Sequence, residues 1–185
     1  YKVTGVQTCA LPILPGGDPG DVAAIREGYA GVQDEGSQLI ARAVTVAEVA
    51  DDGGRWLDMC AGPGGKAALI GSLAEIDGAR LDAVEVSEHR AGLIRKVVSD
   101  LPVTIHVADA RSSGLDAGYD RILLDAPCSG LGSLRRRPES RWRRTTADVD
   151  ELVVLQKELL AEALRLGRLA IEEEEIGGTF GQVGA

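Results

Sequence analysis

The period of the apolar positions changes several times along the chain. Within residues 21–50, which read as helical, Leu39, Ile40, Ala41, Ala43 and Val44 form a helix-compatible stripe after Ser37 and Gln38. Arg55-Trp56-Leu57-Asp58-Met59 is a short apolar run between Gly53-Gly54 and a glycine-rich stretch, and it reads as a strand. Residues 64–75 read as a helix and Leu81 to Val86 as a second strand. Residues 88–99 read as a helix capped by Ser87, with Arg90 and Arg95 outward. Val103 to Val107 gives a third strand and Tyr119 to Leu124 a fourth. Residues 147–168 predict a long helix with Leu152, Leu155, Leu159, Leu160, Ala163 and Leu166 on one side. Strands alternating with helices at this spacing imply a parallel α/β sheet with right-handed crossovers. No internal repeat is visible, and no good strand follows near residue 170, where the alternation calls for a fifth.

Composition narrows this picture. A chain of 185 residues with 44% hydrophobic and 26% charged positions suits one soluble domain. The net charge of −9 argues against a globally basic nucleic-acid binder but leaves room for a local patch. Cys9, Cys60 and Cys128 are too few for a disulfide framework and lack zinc-ligand spacing, so no metal is expected. No apolar run approaches the roughly 18 residues a membrane span needs, so a cytoplasmic protein is expected. Residue 1 is Tyr and the sole Met is Met59, which reads as a processed, engineered or incomplete product. The apolar run from Cys9 to Pro15 behind Lys2 faintly suggests a secretory signal but lacks a convincing cleavage site. The string Val3-Thr4-Gly5-Val6-Gln7-Thr8-Cys9-Ala10-Leu11-Pro12-Ile13 matches the translation of a sequencing adapter. Residues 1–13 are therefore read as a non-native leader, and Cys9 is set aside.

Chemistry concentrates at the ends of the expected strands. Asp58-Met59-Cys60-Ala61-Gly62-Pro63-Gly64-Gly65-Lys66 joins the first strand to a helix. Glycines there let backbone approach a ligand, and the helix start offers free N–H donors. A phosphate-binding loop is excluded, because Cys60 and Ala67 stand where its first Gly and its Ser or Thr belong. An ordinary tight turn is the competing reading. Glu85 ends the second strand, 20 residues after Gly65, where a carboxylate can accept from both hydroxyls of a ribose. Asp109 follows the third strand, within reach of an adenine amine, or forms a plain Asx turn. Acidic strand ends at Asp58, Glu85 and Asp109, with no phosphate-neutralising pair beside them, favour the cationic S-adenosylmethionine over a dinucleotide. Asp125-Ala126-Pro127-Cys128-Ser129-Gly130-Leu131-Gly132 follows the fourth strand and offers a carboxylate and a proline to a planar base. Cys128 reads as a tunable nucleophile or base, or as a small buried hydrophobe.

These paired motifs resemble the RNA cytosine-5 methyltransferases of the Sun/RsmB type, and Gly31-Val32-Gln33-Asp34-Glu35-Gly36-Ser37-Gln38 is similar to that family's lead-in. The resemblance runs from about residue 28 to about residue 168. It implies a Rossmann-like class I fold with strand order 3-2-1-4 and methyl transfer from S-adenosylmethionine to C5 of an RNA cytosine, in bacterial small-subunit ribosomal RNA. It implies that Cys60, Ala61, Gly62, Pro63, Gly64, Gly65 and Lys66 line the cofactor site, with Glu85 on the ribose, Asp109 near the adenine and Asp125 bordering the cofactor while holding the cytosine. Cys128 matches the family's second cysteine, which assists release of the methylated base. The attacking cysteine of the family lies in a later Thr-Cys-Ser motif, and no cysteine follows Cys128 in this sequence. The expectation is a domain cut before its fifth strand and inactive in covalent catalysis. The rival readings are an inert cofactor- and RNA-binding fragment and a dinucleotide-dependent oxidoreductase.

Arg135, Arg136, Arg137, Arg141, Trp142, Arg143 and Arg144 follow the base-gripping motif directly, and they suit phosphates and a stacked base. A solvated loop balancing an acidic body is the plainer alternative. His89 and His106 show no partner pattern. The expected division is a leader over 1–13, a lead-in with a helix over 14–50, a catalytic domain over 51–169 and a divergent, disordered tail over 170–185 that contains the run Glu172–Glu175. No oligomer is indicated.

Overall fold

The computed structural model describes residues 18–27, 30–130 and 145–168. The expected leader, the Arg-rich stretch Arg135–Arg144 and the Glu172–Glu175 run lie outside the described residues.

After a short helix α1 (Ala23–Arg26), the chain forms α2 (Glu35–Val46), β1 (Arg55–Asp58), α3 (Gly65–Asp77) and β2 (Arg80–Glu85). Helix α4 (Glu88–Val97), β3 (Val103–Val107), β4 (Arg121–Leu123) and α5 (Thr146–Leu166) complete the order. The four strands pair in parallel in the order β3-β2-β1-β4, as the resemblance implied. With helices on its two faces, this is a Rossmann-like class I fold.

Side-chain alternation assigns each strand residue to a layer. Trp56, Leu81, Ala83 and Leu123 point to one face and pack with Ala41 of α2, Ala67, Ile70 and Ala74 of α3, and Ile94 of α4. Leu57 and Val84 point to the other and pack with Tyr119 and with Leu159, Ala163 and Leu166 of α5. Gly71 marks where α3 presses against the sheet edge, since a Cβ there would stand 2.6 Å from Val103 Cγ2.

Four expectations are corrected. The helical reading of residues 21–50 is met only by α1 and α2, and α2 starts at Glu35 because Asp34 in extended conformation accepts the first helical hydrogen bond from Gln38. The fourth strand is three residues long. The chain bends at Asp120, whose carboxylate accepts from the Arg55 N–H (3.0 Å), and this detaches Tyr119 from the strand. Leu160 is 52% exposed: the buried line of α5 runs through Leu159, Ala163 and Leu166 at i, i+4 and i+7, leaving the next position about a quarter-turn off it. Arg90 does not stand free of the domain but turns back onto Glu85.

Where the alternation calls for a fifth strand, the described chain makes one parallel bridge. Gly167 pairs with Tyr119, and Arg168 N–H donates to the Tyr119 carbonyl (2.9 Å).

Candidate functional site

All the acidic and glycine-rich motifs except Asp109 meet at the carboxyl ends of β1, β2 and β4. The centre is the turn from Asp58 to Gly65. Ala61 N–H donates to Val84 O (3.0 Å) and Met59 N–H to Leu123 O (3.0 Å), so the loop is stitched to both neighbouring strands. Gly64 N–H donates to Ala61 O (2.8 Å), and Gly64 takes φ 112°, a left-handed conformation that opens helix α3. A Cβ at Gly64 would stand 2.8 Å from Val97 Cγ2, so both conformation and space demand glycine. Gly62 is bound by space alone, because a Cβ there would collide with Glu85 Oε2.

Glu85 is 3% exposed. Its Oε2 accepts from Gly62 N–H (3.1 Å), and its Oε1 accepts from Ser87 N–H (2.8 Å) and from Arg90 (2.8 Å). The carboxylate thus sits at the expected strand end and braces the glycine-rich loop from beneath. Arg90 is half-exposed, so it is the one of the three donors that a ligand diol can displace without unmaking the loop.

Asp58 is more buried still, at 1%. Its Oδ1 accepts a long hydrogen bond from Cys60 N–H (3.3 Å), and its Oδ2 has no partner among the described residues. Burial drives its pKa up to about 7, with Asp125 and Glu85 adding to the rise and Lys66 opposing it. The same burial, reinforced by Asp58, Glu85 and Asp125, pushes the Cys60 thiol up to about 11. Cys60 is therefore a neutral thiol near pH 7 and no nucleophile.

The segment after β4 is tied to this loop by one ion pair, Lys66 Nζ to Asp125 Oδ2 at 2.7 Å. Gln156 of α5 donates to Pro127 O (2.8 Å) from the other side. Cys128 is exposed. The structure thus brings together Cys60, Gly62, Pro63, Gly64, Gly65, Lys66, Glu85 and Asp125. Ala61 turns its side chain into the core and offers only backbone to the loop. Asp109 is engaged elsewhere: it caps a 3-10 turn (Ala110–Ser112) and takes a forked hydrogen bond from Arg111, which also reaches Glu158 (2.6 Å). The Arg111 hydrogen bonds hold the Asp109 carboxyl below its ordinary range. This is the Asx-turn geometry, now extended into an ion pair across to α5.

Two features escaped the sequence reading. Gln33 buries its amide nitrogen without a partner among the described residues, against Gly65 at the start of α3. Its position in the lead-in motif was the available signal. His106 is not isolated: its Nε2 is 2.8 Å from Asp82 Oδ1, and Asp82 Oδ2 accepts from the Tyr119 hydroxyl (2.7 Å). Burial and the Asp82 hydrogen bond raise the Tyr119 pKa above its ordinary value.

The donor set suits S-adenosylmethionine. Glycines let the loop pack onto Glu85 and helix α4, three carboxylates oppose two cations among the described residues, and one buried carboxylate oxygen faces no donor among them. Among the described residues no three His, Cys, Asp or Glu cluster as metal ligands, and no helix is long and apolar enough to cross a membrane.

Comparison with known proteins adds an independent line. Residues 45–170 match the family described as 16S rRNA methyltransferase RsmB/F. A Mycobacterium tuberculosis (strain H37Rv) protein named as a methyltransferase is 58% identical over 155 residues, covering 84% of this chain and 34% of that protein. Ribosomal RNA small subunit methyltransferase B of Pectobacterium atrosepticum is 36% identical over 157 residues, covering 82% of this chain and 33% of its own length. The chain thus spans about a third of the curated relatives it matches. Among solved structures, NSun6 from Pyrococcus horikoshii with SFG superposes at TM-score 0.69 with 29% identity, over 85% of this chain and 39% of that one. A methyltransferase homolog from the same organism superposes at TM-score 0.67 with 27% identity, over 82% and 47%.

Proposed function

The chain belongs to the 16S rRNA methyltransferase RsmB/F family, and from that premise we propose that it binds S-adenosylmethionine at the carboxyl edge of its sheet and addresses C5 of a cytosine in small-subunit ribosomal RNA. The observation that carries this reading is the Lys66–Asp125 ion pair (2.7 Å), which couples the glycine-rich loop to the segment that would grip the base.

When bound, S-adenosylmethionine supplies an electrophilic methyl group on a sulfonium. The chain's own residues prepare its surroundings. Gly62 and Gly64 bring backbone close, Glu85 braces the loop and meets the ribose as Arg90 yields, and the adenine side is assigned to Asp109, whose carboxylate must first part from Arg111. The carboxylates of Glu85 and Asp125, joined by Asp58 when it is ionised, set a negative field that favours a cation. Asp125 holds and polarises the cytosine, and Cys128, exposed beside it, assists proton loss from C5 and release of the base. The Arg-rich stretch from Arg135 to Arg144, with Trp142, is assigned to RNA phosphates and stacking.

C5 of cytosine is a weak nucleophile until a thiolate adds at C6 and makes the ring enamine-like. The Thr-Cys-Ser motif that carries that thiolate in the family does not occur among these 185 residues. A polypeptide of this sequence alone is therefore expected to bind cofactor and RNA without forming the covalent adduct. Calorimetry with S-adenosylmethionine and with NAD tests the cofactor: heat with NAD alone would return the site to a dinucleotide. Trapping with 5-fluorocytosine RNA tests the chemistry. An adduct that disappears in Cys128→Ala would make Cys128 the attacker and overturn the assignment of its role.

A further inference from the structure

The groups around the glycine-rich loop do not balance. Three carboxylates end there: Asp58 from β1, Glu85 from β2 and Asp125 after β4. Among the described residues two cations face them, Lys66 from α3 and Arg90 from α4. Each cation is spoken for, Lys66 by Asp125 (2.7 Å) and Arg90 by Glu85 (2.8 Å). The carboxylate left over is the most buried of the three. Asp58 has one weak backbone donor at 3.3 Å and an oxygen with no donor among the described residues. The remaining titratable neighbour, the Cys60 thiol, is neutral near pH 7 and brings no positive charge. A buried carboxylate without a counter-charge keeps its proton until one arrives.

We propose that Asp58 carries its proton in the ligand-free protein and releases it to solvent when a cationic ligand occupies the glycine-rich loop. The proposal rests on the cofactor reading above and adds a proton to its stoichiometry. The O–H bond of the Asp58 carboxylic acid breaks, the proton passes to buffer, and the carboxylate left behind offsets the charge of the incoming sulfonium and ammonium. Site charge therefore rises by less than the ligand's own charge. A pKa near 7 in the empty site makes the exchange visible at ordinary pH.

The test is calorimetry of S-adenosylmethionine binding to the full chain in two buffers of different ionisation heat, with wild type and Asp58→Asn compared. The ligand's own amino group titrates near ~8, so the quantity read is the difference between the two proteins. Wild type is expected to release about half a proton more than Asp58→Asn at pH 7. Its relative affinity is expected to fall toward about tenfold per pH unit below that point. Infrared difference spectra of wild type at pH 6.5 give the same answer without a variant: a protonated-carboxyl band should vanish on binding. Binding with neither proton release nor loss of that band overturns the proposal and leaves the cofactor reading intact. Absence of binding overturns both.

Discussion

The two halves of the site are built by opposite means. The turn from Asp58 to Gly65 is held by backbone hydrogen bonds to both neighbouring strands, by glycines that admit no side chain, and by a carboxylate buried beneath it. The segment from Asp125 onward exposes Asp125, Pro127 and Cys128, and side chains hold it: Asp125 pairs with Lys66, and Gln156 donates to Pro127 O. On the proposed reading, the rigid half would fix where the cofactor lies and the open half would leave room for a macromolecule to enter. Binding geometry is thus stored in the fold on one side and completed by the substrate on the other.

Substitutions should separate the halves. Gly62→Ala strikes the rigid side hardest, because its Cβ meets the Glu85 carboxylate. It should cost about 3 kcal/mol from overpacking and a broken charged hydrogen bond, read by urea denaturation, and should weaken S-adenosylmethionine binding in parallel. Asp58→Asn should act in the opposite direction and depend on pH. A carboxyl raised in the folded state contributes stability below its ordinary value of 3.8 and loses it as pH rises through about 7. The variant should therefore gain about 2 kcal/mol over wild type at pH 8 and nothing at pH 4 in melts of the ligand-free protein. Lys66→Met should change stability by less than about 1 kcal/mol, since Asp125 is half-exposed and water screens the pair. Its effect should instead be seen as weaker RNA retention at unchanged fold. Cys128→Ala should stay within about 0.5 kcal/mol of wild type. A larger loss would mean that the open half is packed after all.

The parallel α/β class was legible because alternation and helix periodicity agree over most of the chain, whereas the strand order followed from the family resemblance, and the acidic strand ends fall where a parallel sheet must put them. Trp56 and Leu57, adjacent in sequence, announce a strand buried on both faces. Spacing does not reveal which partner a charged side chain takes. Arg90 reads as a surface residue until the Glu85 carboxylate is seen beneath it, and Asp109 reads equally as a ligand or a cap. His106 shows no partner in sequence because Asp82 and Tyr119 come from distant segments. The imbalance of charge at Asp58 is a count over five separate segments and exists only in three dimensions.

The hydrogen-bonded line from His106 through Asp82 to Tyr119 has a mechanical consequence for the site. It crosses from β3 to the entrance of β4, and β4 pairs with β1 over only three residues. So short a strand sets its register weakly by itself. A slip of one position would carry Asp125 about 3.3 Å along the sheet and away from Lys66. Tyr119 works as an index pin at the foot of the strand, and the alignment of the Asp125 segment with Lys66 is decided at the far end of the sheet from that ion pair.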